Sequence, residues 1–269
     1  MTKVGTTLLE PYILLFRYRK LLWDSVKNSL QARYAGSIFG LGWIVKGPLM
    51  LLGLYALIYA VVFRVRPVGL ELADYILYIF AGLIPFIAFS QALSAGAVAL
   101  SNDPGLLLNK VFPAELLPVR EVLAAGTMII AGGFLVIVYK LFLGGITWYW
   151  LLLPLILLLM AMTVVGMVWG LSLANLLIKD VQQMLTYIII LLLVASPIAY
   201  TPDMIPPSMQ ILIYANPLAY YVMSFQSILV LGQLPPIPIM IGDLLISLVW
   251  FHGMFAVFKS GKLVLTDNI

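Results

Sequence analysis

WYWLLLPLILLLMAMTVVGMVWGLSLANLLI, residues 148–178, contains no charged side chain, and the charge-free run reaches back from it to Lys140 and forward to Lys179. A helix needs roughly 20 mainly apolar residues to cross a bilayer, and this run exceeds that. It also lacks the alternation of about ten residues that marks a barrel strand. The remainder of the chain has the same character: of 269 residues, 63% are hydrophobic and 10% charged, against about 25% charged in soluble domains. The fold class is therefore all-α and integral to a membrane.

Uncharged runs separated by charged or Pro/Gly-rich breaks place six transmembrane helices, at about 41–63, 75–100, 122–139, 148–177, 184–199 and 239–258. The fifth is the shortest. Gly144-Gly145 supplies the turn that separates the third span from the fourth. Six spans leave both termini on one side, and the distribution of basic residues says which. Lys3, Arg17, Arg19, Lys20, Lys27, Arg33, Lys46, Lys110, Arg120, Lys179, Lys259 and Lys262 share one compartment, whereas Arg64, Arg66 and Lys140 occupy the other. The richer side is cytoplasmic, so both termini are cytoplasmic, and the first residues lack the small-residue cleavage site of a signal peptide. The net charge of +4 is thus a topology and membrane-surface signal, and nucleic acid is not an expected partner.

Two regions depart from simple spans. In residues 12–31 the polar Arg17, Lys20, Asp24, Lys27 and Gln31 recur at steps of three and four, while Leu15, Tyr18, Leu22, Val26 and Leu30 occupy another face. Residues 1–34 are an N-terminal cytoplasmic interface segment on this pattern, its amphipathic helix serving either as an anchor to membrane lipids or as a contact for a partner subunit. Residues 35–262 are the six-span membrane domain, and 263–269 are a cytoplasmic tail. The second region, 201–238, carries Asp203 as its only charge and seven prolines. Two short re-entrant helices are expected there, at 208–214 and 218–231, with Asn216-Pro217 as the turn between them. They either cap the bundle or help open a path to the outer leaflet.

Self-contained chemistry is poorly supported. With no Cys and one His, thiolate catalysis, disulfides and multi-histidine metal sites are excluded. The chain has no phosphate-binding Gly-rich loop; Gly261-Lys262 runs into Leu263. Asp243 is the only acid at plausible membrane depth, and His252, nine residues on, points away from it, so they form no proton relay. Asp103, Glu115 and Glu121 lie among prolines and bases without a tight metal-binding spacing. No catalytic, cofactor or metal residue is assigned. A transporter driven by protons or sodium would want buried mid-membrane carboxylates that are scarce here, so an energy source within this chain is not expected.

Asn102-Asp103-Pro104 offers an N-cap and a first-turn proline for a short cytoplasmic helix over 102–110, either a rigid handle or an ordinary connector. Tyr55, Tyr59 and Phe63 share one face of the first span, and Tyr78, Phe86 and Phe89 lie together on the second. Such stripes serve as core, or as ring faces along a conduit for sugars. Gly166 and Gly170 form a small-xxx-small pair suited to packing inside the subunit.

Four blocks carry a resemblance. They are Arg33-Tyr34-Ala35-Gly36-Ser37 with Phe39-Gly40-Leu41-Gly42-Trp43 and Pro48; Gly82-Leu83-Ile84-Pro85-Phe86 with Phe89-Ser90; Ser101-Asn102 through Lys110-Val111-Phe112-Pro113 with Leu116-Leu117-Pro118; and Asn216-Pro217-Leu218. Together they resemble the membrane subunit of ABC-type exporters of bacterial cell-surface polysaccharides, a family covering O-antigen, capsule and teichoic-acid export. The resemblance implies a homodimer in the bacterial inner membrane that moves lipid-linked polysaccharide along a central path. It implies a separate nucleotide-binding ATPase subunit that holds ATP and Mg, and no cofactor in this chain. It further implies that Arg17 and Lys20 on the amphipathic helix, with Asn102, Asp103, Pro104 and Lys110, dock on that ATPase, and that the first and fifth spans line the path. No carbohydrate-binding extension is expected after the last span. The alternative function is an ABC exporter of drugs or small lipids.

Overall fold

The structure is a computed structural model and describes residues 8–58, 71–103, 105 and 112–267. The N-terminal region forms α1 (Glu10–Arg17) and α2 (Arg19–Tyr34), then α3 (Trp43–Ala56). The bundle continues with α4 (Leu72–Ala97), a short helical turn Ala99–Asn102, α5 (Leu116–Leu143) and α6 (Leu153–Leu177). α7 (Val181–Ala195), α8 (Gln210–Tyr214), α9 (Pro217–Gln226) and α10 (Ile237–Asp267) complete it.

α4 is the hub. A helix apolar all round belongs inside a bundle, and Tyr75, Leu77, Ile79, Leu83 and Phe89 on α4 are each at most 1% exposed. α5, α6 and α9 wrap it. Lipid tails are as apolar as leucine, so helices in a membrane gain little from burying apolar area and associate through close contact of small residues. The glycines are placed accordingly: a side chain at Gly132 on α5 would collide with Ile84 of α4, and one at Gly96 of α4 would collide with Val168 of α6. The most extensive pairing is that of α6 with α10. There a Cβ at Gly166 would overlap the Trp250 carbonyl, and one at Gly170 would come 2.9 Å from Met254 Sδ. The small-xxx-small pair is therefore used within the subunit, as its sequence suggests. Between these glycines Trp169 packs its ring 5.3 Å from Phe251 and 5.1 Å from Phe255.

Among the described residues no strand occurs, and four helices are long and apolar enough to cross a membrane: Leu72–Ala97, Leu116–Phe142, Trp148–Leu177 and Ile237–Lys262. Four of the six expected spans are thus present at full length, and α5 and α10 run well beyond the expected 122–139 and 239–258. The Gly144-Gly145 break also holds, with φ of 80° and 96° ending α5. The other two expected spans are shorter helices. α7 has 15 residues, roughly 22 Å at ~1.5 Å rise per residue, and stops because Ser196 is extended ahead of Pro197. Beyond α3 the described chain continues to Ile58; the rest of the expected 41–63 span lies outside the described residues.

The interface segment is broken in two at Tyr18, whose φ of −100° and ψ of 15° interrupt the expected single helix. Its two faces are as the periodicity requires. Leu22 and Val26 are buried, Leu15, Tyr18 and Leu30 pack against the same core, and Arg17, Lys20, Asp24, Lys27 and Gln31 are exposed. The apolar face of α2 is spent on the bundle, chiefly on α5. In the 201–238 region two short helices do meet at Asn216-Pro217, α8 beginning at Gln210 and α9 continuing as a π-helical turn over Ser227–Leu231. α9 is core rather than cover: every residue from Tyr221 to Leu229 is buried.

The α6–α10 contact yields a prediction. Gly166→Val forces a side chain into the Trp250 backbone and should destabilise the fold by at least about 1–3 kcal/mol, seen as a lower melting temperature in detergent. Gly126→Ala, whose Cβ meets open space, should leave melting unchanged or raised. Equal melting of the two variants would refute this packing.

Candidate functional site

Two polar layers stand at opposite ends of the bundle. At the end where α4 stops and α5 starts, charged residues distant in sequence pair with one another. Glu121, on the first turns of α5, is the centre. Its carboxylate accepts from Arg33 Nη2 at 2.9 Å and Ser29 Oγ at 3.2 Å, both on α2, and from Arg120 Nε at 2.8 Å. Arg120 Nη2 then donates to Asp103 Oδ2 at 2.7 Å. One carboxylate thus joins the interface helix α2 to the chain segment linking α4 and α5. Glu115 in turn accepts from Lys262 Nζ at 2.9 and 3.0 Å, while its carbonyl accepts from Trp169 Nε1 at 2.9 Å. Glu10 on α1 pairs with Lys259 on α10. Tyr12 adds a ring contact 5.1 Å from Phe251. Partial burial pushes the Tyr12 phenol above its ordinary value.

This layer accounts for the three acids that failed to form a metal-like spacing. Asp103, Glu115 and Glu121 are each engaged by a base, and among the described residues no group of three His, Cys, Asp or Glu is placed to hold a metal. Asn102 closes the turn Ala99–Asn102 and is exposed. Pro104 and Lys110 lie outside the described residues, and with them most of the expected 102–110 helix. Arg17 is exposed, 5.6 Å from the Tyr18 ring, and Lys20 is exposed as well.

The opposite end is held mainly by buried hydrogen bonds, beside an ion pair of Lys140 Nζ with Asp74 Oδ1 at 3.8 Å. Asn216 caps α9, its Oδ1 accepting from Leu218 N at 2.9 Å while its Nδ2 donates to Ser196 Oγ at 2.9 Å. Gln226 Nε2 donates to the carbonyls of Pro197 and Ile198 at 3.0 and 3.1 Å, and Tyr75 Oη donates to that of Ala199 at 2.9 Å. Gly82 makes this possible, since a Cβ there would sit 2.8 Å from Gln226 Nε2. On the other side of α9, the Tyr221 hydroxyl is 2.6 Å from Thr163 Oγ1, and Ser224 Oγ donates to Asp243 Oδ2 at 2.6 Å. Asp243 is therefore a fastener for α9. It has no contact with His252, whose Nδ1 is 3.0 Å from the Leu248 carbonyl and whose ring lies 5.5 Å from that of Tyr12.

Of the aromatic stripe, Tyr55 is half-buried against the core, and Tyr59 and Phe63 lie outside the described residues. Tyr78, Phe86 and Phe89 are core, at 3%, 7% and 1% exposure. Sequence inspection missed the Phe251, Phe255 and Phe258 face of α10, although its i, i+4, i+7 spacing was visible. It also missed Gln226 and Ser224, two polar residues inside an apolar run.

Residues 20–230 match the family described as ABC-2 type transporter. The chain belongs to that family. It is 26% identical over 258 residues to the O-antigen export system permease protein RfbA of Myxococcus xanthus, covering 95% of this chain and 97% of that one. It is also 26% and 27% identical to two proteins of the same name from Klebsiella pneumoniae, each match covering 80% of this chain and 82% of the relative. Two of the blocks that carry the family resemblance, Gly82 to Ser90 and Asn216 to Leu218, supply the Gly82 and Asn216 contacts of the second layer. This ABC-2 permease is an integral membrane transport component.

Glu121→Gln should destabilise the permease by about 1–3 kcal/mol, since it weakens acceptance from two guanidinium groups. Arg33→Met should then cost less on the Glu121→Gln background than alone, with a coupling of about 1 kcal/mol in a double-mutant cycle. Additive losses would show that α2 is held without this carboxylate.

Proposed function

We propose that this chain is the transmembrane subunit of an ATP-driven exporter that moves lipid-linked polysaccharide, of the O-antigen, capsular or teichoic-acid kind, across the bacterial cytoplasmic membrane. The observation that carries the proposal is the near end-to-end likeness to permeases named for O-antigen export. The chain works as a homodimer with both termini in the cytoplasm, and ATP and Mg bind a separate nucleotide-binding subunit. α3 and α7 support a dimer: Leu185 is the only buried residue of α7, and Met184, Tyr187, Ile190, Leu191 and Val194 are at least 55% exposed. Faces so bare suit helices that a second subunit completes around a path. Tyr55 and Tyr59, with Phe63, then offer ring faces that tolerate different sugars through C–H contact.

The ion-pair layer supports a route for the ATPase stroke. The ATPase meets Arg17, Lys20 and the segment around Asn102, Asp103, Pro104 and Lys110. Displacement there is passed through Arg120 and Glu121 to α2, because paired charges partly withdrawn from water resist separation.

Deletion of the gene tests the function: surface polysaccharide should be lost and should return with the chain and its ATPase. Intact polysaccharide with altered drug sensitivity would instead mark an exporter of small molecules. Replacing Asp103 and Pro104 together by glycine should leave assembled protein unchanged, keep ATP hydrolysis and lower export by about tenfold or more, whereas unchanged export would make the segment a connector. Alanine at both Tyr55 and Tyr59 should reduce export at constant protein level; a fall only in proportion to protein would identify the rings as packing.

A further inference from the structure

The end of the bundle held mainly by buried hydrogen bonds contains a cavity of about 420 Å³ between the Pro202–Met204 turn, α8, α9 and the start of α10. That size falls within the roughly 300–1,000 Å³ of small-molecule sites. Its composition differs from that of three other grooves among the described residues, which are lined almost wholly by apolar side chains, as surfaces against lipid tails are. Here the wall includes Tyr214, Gln233 and Asp203, all exposed, with Tyr78, Gln226 and Ser227 buried behind them. Among the described residues no Lys, Arg or His lines it. Asp203 is also the one charge in residues 201–238.

Each wall component has a consequence for the occupant. Aromatic faces accept the C–H face of a saturated ring. Amides and a carboxylate hydrogen-bond neighbouring hydroxyl groups, and the exposed Gln233 and Asp203 are the wall groups within reach of an occupant, whereas Gln226 is buried with its Nε2 on backbone carbonyls. A carboxylate without a basic neighbour in the wall raises the cost of bringing in a second negative charge. We propose that this cavity binds a neutral or amino-substituted sugar unit and rejects acidic sugars. The proposal rests on the export function above, under which this end faces the outer leaflet, where the polymer leaves the path.

The test uses the full-length protein in lipid nanodiscs with methyl glucoside, glucosamine and glucuronate as probes, read by saturation-transfer NMR near neutral pH. Methyl glucoside and glucosamine should bind, and glucuronate should bind about tenfold more weakly. Asp203→Asn, at an exposed position, should bring glucuronate to within about twofold of methyl glucoside, and Tyr214→Ala with Gln233→Ala should weaken all binding by about tenfold. A discrimination that survives Asp203→Asn, or absence of signal from every probe, would overturn the proposal. Should the double variant fail to fold, the Asp203→Asn comparison alone decides. Surface polysaccharide measured in the same strains separates the two ideas: normal export through a protein whose cavity binds no sugar removes only the cavity, whereas unchanged polysaccharide after gene deletion removes the export function itself.

Discussion

A short helix buried in a bundle has ends that water cannot reach, and its unpaired backbone groups must be bonded by the protein itself. α9 is such a helix, and the arrangement around it follows from that need. Asn216 closes its N-terminus, Gln226 bridges its last turn to the Pro197 and Ile198 carbonyls, and the Tyr221 hydroxyl reaches toward α6 and α10. These bonds also fix the segment leading out of α7, whose carbonyls would otherwise be stranded after Pro197. The glycine at position 82 of α4 is part of the same solution, because only a residue without a side chain lets the Gln226 amide so close.

The two ends of the bundle solve different problems with different groups. Ion pairs at one end tie together segments that are far apart in sequence, at exposures of 8% to 34% for the four side chains of the Glu121 group. Such pairs are partly hydrated and can be remade after a displacement. Hydrogen bonds at the other end are mostly buried and directional, and breaking one leaves an unsatisfied group. Between them, the glycine contacts of α4, α5, α6 and α10 admit little change in helix separation, since packed backbones have no side chain to yield.

Much of this was legible from residue order, for identifiable reasons. Hydrophobic runs, the Gly144-Gly145 break and the alternating faces of residues 12–31 depend on local spacing, and the structure keeps them. The Gly166 and Gly170 assignment held because small residues at that interval have few other uses. Less legible was anything set by a partner elsewhere in the chain. The fifth expected span is short in the structure as in the sequence, but its end is expected at 199 because the apolar run continues past Ala195, where Pro197 stops α7. Glu121 looked like one acid among bases, and nothing nearby in sequence points to Ser29 and Arg33 as its partners. Asp243 was identifiable as a buried acid, but its partner Ser224 lies on a helix whose burial is not encoded in its own periodicity.

Two pairs at the charged end join α10 to segments far from it in sequence. Glu10 holds Lys259, and Glu115 holds Lys262, so α1 and the segment before α5 both complete their contacts with the last turns of α10. During synthesis those turns leave the ribosome long after α1. Until then α1 has no Lys259 and no Phe251 to dock against, and its exposed Leu9, Ile13 and Phe16 have only the membrane surface to rest on. Closure of the charged layer is therefore a late event in biogenesis, and a chain cut short before Lys259 lacks the contact that seats its own beginning.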